Sequence, residues 1–146
     1  MKIIKIILLA LLFSQTLFLF SQSKIKYSEI QFECTAITPD EYVINNNEDY
    51  YSKIKIHKNI FDCKQYSLPK IDFEKYTLVG FIYLVKGCKE PEFSYNIKED
   101  DNKIIITVNI STYGYCERAN RVSSWYLIPK TQGNNIIFNK NIIEQE

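Results

Sequence analysis

The chain has 146 residues, 46% of them hydrophobic, and a formal net charge of +1, which is enough for about one folded domain. Cations and anions are intermixed along it, so no clustered positive charge is available to displace counterions from phosphates. Nucleic acid is therefore not an expected partner.

Lys2 and Lys5 precede an uncharged run from Ile6 to Phe20, interrupted only by Ser14, Gln15 and Thr16. A spanning helix wants about 20 apolar residues, so the run fits the core of a signal peptide better. Ser21-Gln22-Ser23 offers small residues to the peptidase, which predicts a signal peptide over 1–23 and a mature domain over 24–146. A cut before Gln22 and an uncleaved anchor are the alternatives. The first cysteine is Cys34, too far on for a lipid anchor. Without Lys2 and Lys5, the 18 basic residues fall to 16 against 17 acidic ones. The mature protein is expected to be exported, to the periplasm, the cell surface or the medium, with no membrane span.

Ile30, Phe32, Cys34 and Ala36 alternate with Gln31, Glu33 and Thr35, the period of a half-buried strand, and Thr38-Pro39-Asp40 ends it. Asn45-Asn46-Asn47, then Glu48 and Asp49, then Lys53 and Lys55, set a cap, acids and bases in the order of a short helix. Tyr50, Tyr51 and Ile54 would be its buried stripe. Its end is ambiguous, since Lys53-Ile54-Lys55-Ile56-His57 also alternates like a strand.

Tyr76 to Val85 is almost continuously apolar and predicts a central strand buried on both faces, with Gly80 a bulge or a point of close approach. Phe93, Tyr95 and Ile97, a polar turn over 99–102, then Ile104, Ile106, Val108 and Ile110 predict a hairpin. A loop from Ser111 to Asn120 leads to a strand over 122–128, ended by Pro129. Gln132-Gly133-Asn134-Asn135 turns the chain into a last strand over 136–139. The expected fold is mainly β (α+β). Its strands, in antiparallel succession, form a sheet that closes as a small sandwich or half-barrel with one short helix over one end.

Cys34, Cys63, Cys88 and Cys116 are an even number in a chain expected outside the cytoplasm, the pattern of two disulfides. Of the three pairings, Cys34–Cys63 with Cys88–Cys116 is favoured as two non-overlapping loops of similar length. Zinc is the competing use, but zinc sites usually carry close cysteine pairs, and none exists here.

Several pieces together suggest a family. They are Leu68-Pro69 before Ile71-Asp72-Phe73-Glu74-Lys75-Tyr76, Gly87-Cys88 followed by Pro91, Gly114 with Cys116, and Trp125 leading into Leu127-Ile128-Pro129-Lys130. The set resembles a group of secreted Bacteroidetes-type proteins. More distantly it is similar to the C-terminal domain of the protease-complex stability proteins, where an IDFSKY-like opening and an IPK-like close bracket a β domain. The resemblance spans Leu68 to Lys130. It departs at Phe93-Ser94-Tyr95, where those proteins carry a Gly-Gly-Tyr turn, and at Ser111 to Cys116, which replaces a proline-glycine loop. It implies a β domain in an exported protein and, faintly, a protease as partner.

Catalytic chemistry is sparse. The single histidine, His57, sits among lysines at the expected helix end, where capping or solvation explains it. Cys63 as its thiol partner is expected to be oxidised. Glu90 with Glu92, and Asp100 with Asp101, read as turn residues, and the spacing of a calcium loop is absent around Asp100-Asp101-Asn102. No catalytic residue, metal ligand or cofactor is assigned. Ser111 to Arg121 holds both arginines, Arg118 and Arg121, together with Tyr113 and Tyr115, residue types enriched at binding hot spots. These four form the candidate binding loop, preorganised by Cys116. The resulting expectation is a binding module for another extracytoplasmic protein. A small extracytoplasmic enzyme with an unfamiliar site, or a structural envelope protein, is the alternative.

Overall fold

The computed structural model describes residues 25–132 and 135–146. The expected signal peptide, and Gly133-Asn134 of the last predicted turn, lie outside the described residues. In chain order the strands are β1 (Ser28–Glu29), β2 (Thr35–Ala36), β3 (Asp40–Ile44), β4 (Lys55–Ile56), β5 (Tyr76–Lys86), β6 (Glu92–Asp100), β7 (Lys103–Tyr113), β8 (Ala119–Pro129) and β9 (Ile136–Gln145). Helix α1 (Asn47–Lys53) lies between β3 and β4, and a 3-10 turn covers Phe61–Cys63. A four-stranded sheet in the order β1-β8-β5-β3 faces a three-stranded sheet in the order β6-β7-β9. Strands β2 and β4 pair as a separate ribbon.

Strand β5 is the centre of the molecule because both its faces are apolar. Val79, Phe81, Tyr83 and Val85 pack between the sheets against Ile106, Val108 and Ile110 of β7 and Val122, Tyr126 and Ile128 of β8. Leu78 and Ile82, on the other face, pack with Tyr42, Ile44, Tyr50, Ile54, Phe73 and Trp125. The chain is thus a sandwich with an outer layer over the second face of its larger sheet. Helix α1 belongs to that layer, so it covers a face of the sheet and not an end. Asn46 caps it, its side-chain oxygen accepting from the Asp49 amide at 2.8 Å. Tyr50 and Ile54 are buried as expected, but Tyr51 is 59% exposed, because seven residues make less than two full turns of stripe.

Two other expectations change. No continuous strand forms over 30–36. Cys34 has φ 51°, a left-handed conformation that breaks the ladder, so only Thr35 and Ala36 pair, with Ile56 and Lys55. The alternation is real, but its apolar members Ile30 and Phe32 pack singly onto the Trp125 side of the sheet. Strand β9, in turn, is longer than expected and runs parallel to β7. The reason is topological: β8 carries the chain back along the other sheet, so β9 starts beside Ile104 and must run in the direction of β7. The hairpin of β6 and β7 turns on Asp101 and Asn102, both at positive φ (47° and 61°), the geometry of a type I′ turn.

The structure pairs Cys34 with Cys63 and Cys88 with Cys116. Their sulfurs are therefore not zinc ligands, and such bonds belong to a chain that works outside the reducing cytoplasm. Cys88–Cys116 joins the two connections that cross between the sheets at one end, β5 to β6 and β7 to β8. Gly114 lies against it at φ 70°, where an added Cβ would come within 2.6 Å of the Cys88 sulfur. Cys34–Cys63 ties the outer layer to itself. Among the described residues, no helix is long and apolar enough to cross a membrane.

Burial holds the phenols of Tyr50, Tyr83 and Tyr126 well above the usual range, and the Glu41 carboxylate adds to this at Tyr83. A raised folded-state value favours the neutral phenol. Its contribution is full below about pH 10 and is lost as pH rises toward the folded values, by up to about 1.4 kcal/mol per pH unit for each group. Urea midpoints are expected to fall steadily above pH 10. Tyrosinate absorbance should show these three phenols ionising only as the chain unfolds. Ionisation of all 11 tyrosines together in the folded protein would contradict this burial.

Candidate functional site

The outer layer leaves a basin at the end of the larger sheet where β2 and β4 overhang β3. Its volume is about 800 Å³, and it is lined by residues 35–42 together with Ser52, Lys53, Lys55, His57 and Arg121. Thr35 to Thr38 cross above the sheet as a strap. The Arg121 guanidinium fastens the strap by donating to the Ile37 carbonyl at 3.3 Å. Tyr42 fastens it again, donating its hydroxyl to the Thr38 carbonyl at 2.7 Å. A smaller basin of about 420 Å³ lies on the far side of the strap, lined by 29–35, Ile37, Ser123, Ser124 and Trp125, and it too includes Arg121. Arg121 therefore stands where the two basins meet.

The charge in the larger basin is biased. Lys53, Lys55 and Arg121 line it, opposed by Asp40 and Glu41. Glu41 lies opposite Phe81 in the register, so its side chain turns to the inter-sheet face, where it accepts from the Tyr83 hydroxyl at 2.6 Å. Asp40 accepts from the Glu41 amide at 2.8 Å. Lys53, Lys55 and Arg121 thus share the lining with one engaged carboxylate, that of Asp40. His57 also lines it, beyond β4 and not at a helix end, and its amide donates to the Cys34 carbonyl at 2.8 Å.

Of the four residues expected to form one binding loop, Tyr113, Tyr115 and Arg118 stay together around Gly87-Cys88, and Arg121 is set apart from them. Tyr113 closes β7, and its carbonyl accepts from the Cys88 amide at 2.6 Å. Burial, and then the Glu92 carboxylate, hold its phenol above the usual range. Tyr115 is 79% exposed beside the Cys88–Cys116 bridge. Arg118 is exposed, and its carbonyl accepts from the Gly87 amide at 3.2 Å. Arg121 is already inside β8, opposite Leu84, and points to the outer face. The loop is shorter than expected, and Arg121 belongs to the basin. Lys53 and Lys55, its partners there, stand out in the sequence only as the bases that close the short helix and in the alternation around Ile54. Nothing in the sequence tied them to a residue 66 positions on.

Glu90 with Glu92 and Asp100 with Asp101 lie along β6 and its flanking turns, away from the basin. Among the described residues, no group of three His, Cys, Asp or Glu side chains gathers as metal ligands.

The segments that carried the family resemblance meet in space. Tyr76 is opposite Pro129, and the Lys130 amide donates to the Lys75 carbonyl at 2.8 Å. Asp72 turns the chain into β5, accepting from the Glu74 amide and pairing with Lys75 at 2.9 Å. The opening and the close of that stretch thus lie together at one end of the β5–β8 pair, with Gly87-Cys88 and Cys116 at the other. Comparison with protein-family models, with curated proteins and with solved structures gives no match. The resemblance therefore rests on its own residues.

Proposed function

We propose that the chain is an exported binding module that holds an acidic, extended segment of another extracytoplasmic protein in the Arg121 basin. One observation carries the reading: Lys53, Lys55 and Arg121 converge on a single open basin whose nearest glutamate is turned away to Tyr83. Export to the periplasm, the cell surface or the medium is supported by the apolar N-terminal run and the two disulfides. A protease complex is the partner that the resemblance suggests.

Fluorescence polarisation with labelled dodecapeptides of acidic, neutral and basic composition tests this. Acidic peptides are expected to bind, more weakly as salt screens the cations. Arg121→Glu and Lys55→Glu should each weaken binding by about tenfold or more. Equal binding of acidic and basic peptides, or Arg121→Glu indistinguishable from wild type, would remove the proposal. His57 in the same basin favours a second reading, a small hydrolytic enzyme. That reading requires His57→Ala to abolish turnover of a bound peptide while leaving its affinity intact.

A further inference from the structure

Among the described residues, strand β9 is an edge of its sheet over all ten of its residues, with β7 on one side and no strand on the other. Ile142 and Ile143 are 46% and 53% exposed, on opposite faces of the strand. The Gly114 amide donates to the Gln145 carbonyl at 3.0 Å, across the β7–β9 boundary. Backbone groups alternate sides along a strand. Gln145 and the other odd-numbered residues of β9 therefore turn their N–H and C=O toward β7. The even-numbered residues Phe138, Lys140, Ile142 and Glu144 turn theirs outward. Long edges of this kind are templates for another strand.

We infer that the occupant of this edge is β9 of a second copy, added antiparallel about a two-fold axis at Ile142, making one six-stranded sheet across two molecules. The register follows from the side chains. With Ile142 opposite Ile142 of the second copy, the two exchange a pair of backbone hydrogen bonds, and Lys140 falls opposite Glu144 of the other copy. The two-fold repeats that pair, so both flanks of the centre carry opposite charges in directly facing positions. Centring the axis on Lys140 would set lysine against lysine. Centring it on Glu144 would set glutamate against glutamate. A centre at Asn141 would leave Lys140 facing Ile142. Lys140 and Glu144 lie on the inter-sheet side of β9, where the Lys140 ammonium already stands 4.8 Å from the centre of the Tyr83 ring, so the incoming carboxylate arrives beside a placed cation. A single edge of this length is smaller than a standard interface, so the dimer is expected to be weak, with a dissociation constant of roughly micromolar to millimolar.

Sedimentation velocity of the mature, disulfide-bonded chain from low micromolar to about millimolar concentration tests this. Wild type should shift from monomer to dimer over that range. Lys140→Glu places glutamate opposite glutamate twice and should weaken self-association by about tenfold or more. The double variant, Lys140→Glu with Glu144→Lys, restores both pairs and should restore the dimer. Circular dichroism and urea midpoints of each variant show that the fold is retained. Ile142→Pro, which removes an outward N–H at the centre, should be monomeric throughout. A wild type that stays monomeric to millimolar concentration overturns the inference, as does self-association unchanged by Lys140→Glu or unrestored by the double variant. The basin plays no part in this edge, so peptide binding and dimerisation fail or succeed separately.

Discussion

Gly80→Ala is expected to cost about 3 kcal/mol, although it adds a single methyl group. The Trp125 ring lies directly over Gly80, and a Cβ there would overlap it. Neither partner has room to yield. Gly80 is paired with Tyr42 on one side and Trp125 on the other, in the middle of three continuous strands. Trp125 is 5% exposed, with Phe32 edge-on at 5.2 Å between ring centres and Tyr42 at 5.1 Å. Accommodation requires the indole to lift, which separates the outer layer from the sheet. Because Trp125 is the only tryptophan, its emission reports this displacement directly and should shift to longer wavelength in the folded variant. A Gly80→Ala protein with the urea midpoint and emission of wild type would show that the ring is not seated there.

Removing Cys34–Cys63 with serines should cost about as much as removing Cys88–Cys116, yet with a different spatial outcome. The bridges close loops of 29 and 28 residues, so chain entropy assigns each roughly 3–4 kcal/mol. Cys88–Cys116 joins the crossings between the two sheets, and its loss should lower the stability of the whole sandwich. Cys34–Cys63 lies in the outer layer, where the Tyr66 hydroxyl accepts from the Glu33 amide and the His57 amide reaches Cys34. Its loss should release this layer first. Hydrogen exchange of Cys34→Ser with Cys63→Ser is expected to show amides around His57 and Tyr66 exchanging quickly while those of β5 and β8 stay protected. Peptide binding should fall with them, because Lys55 and the strap lose their seat. Uniform loss of protection, or none, would contradict the layered arrangement.

The parts of the fold that could be read beforehand are those whose signals are local. Tyr76 to Val85 announces its burial by composition, Asn46 announces α1 by its cap, and the Asp101-Asn102 turn is legible because both residues tolerate positive φ. Strand β3 escaped notice because Pro39, Asp40 and Glu41 hide a short apolar alternation, Tyr42 and Ile44, which is completed only by pairing with β5. The pairing of β9 with β7 depends on where β8 leaves the chain, and no residue of β9 encodes that. The basin was illegible for the same reason. Arg121 stands out by its residue type and reads as a loop residue, because the start of β8 is mostly polar, with Asn120, Arg121, Ser123 and Ser124 around a lone Val122. Its reach to Ile37 across 84 residues is set by the sheet and by the disulfide-held strap.

The most direct measurement is chemical-shift mapping of the 15N-labelled chain over 24–146 during titration with an acidic dodecapeptide. Shifts should concentrate at Ile37, Lys53, Lys55, His57 and Arg121, and vanish in Arg121→Glu. Shifts confined to Tyr113, Tyr115 and Arg118, or scattered over the outward face of β6, β7 and β9, would place recognition elsewhere and contradict the assignment of the basin.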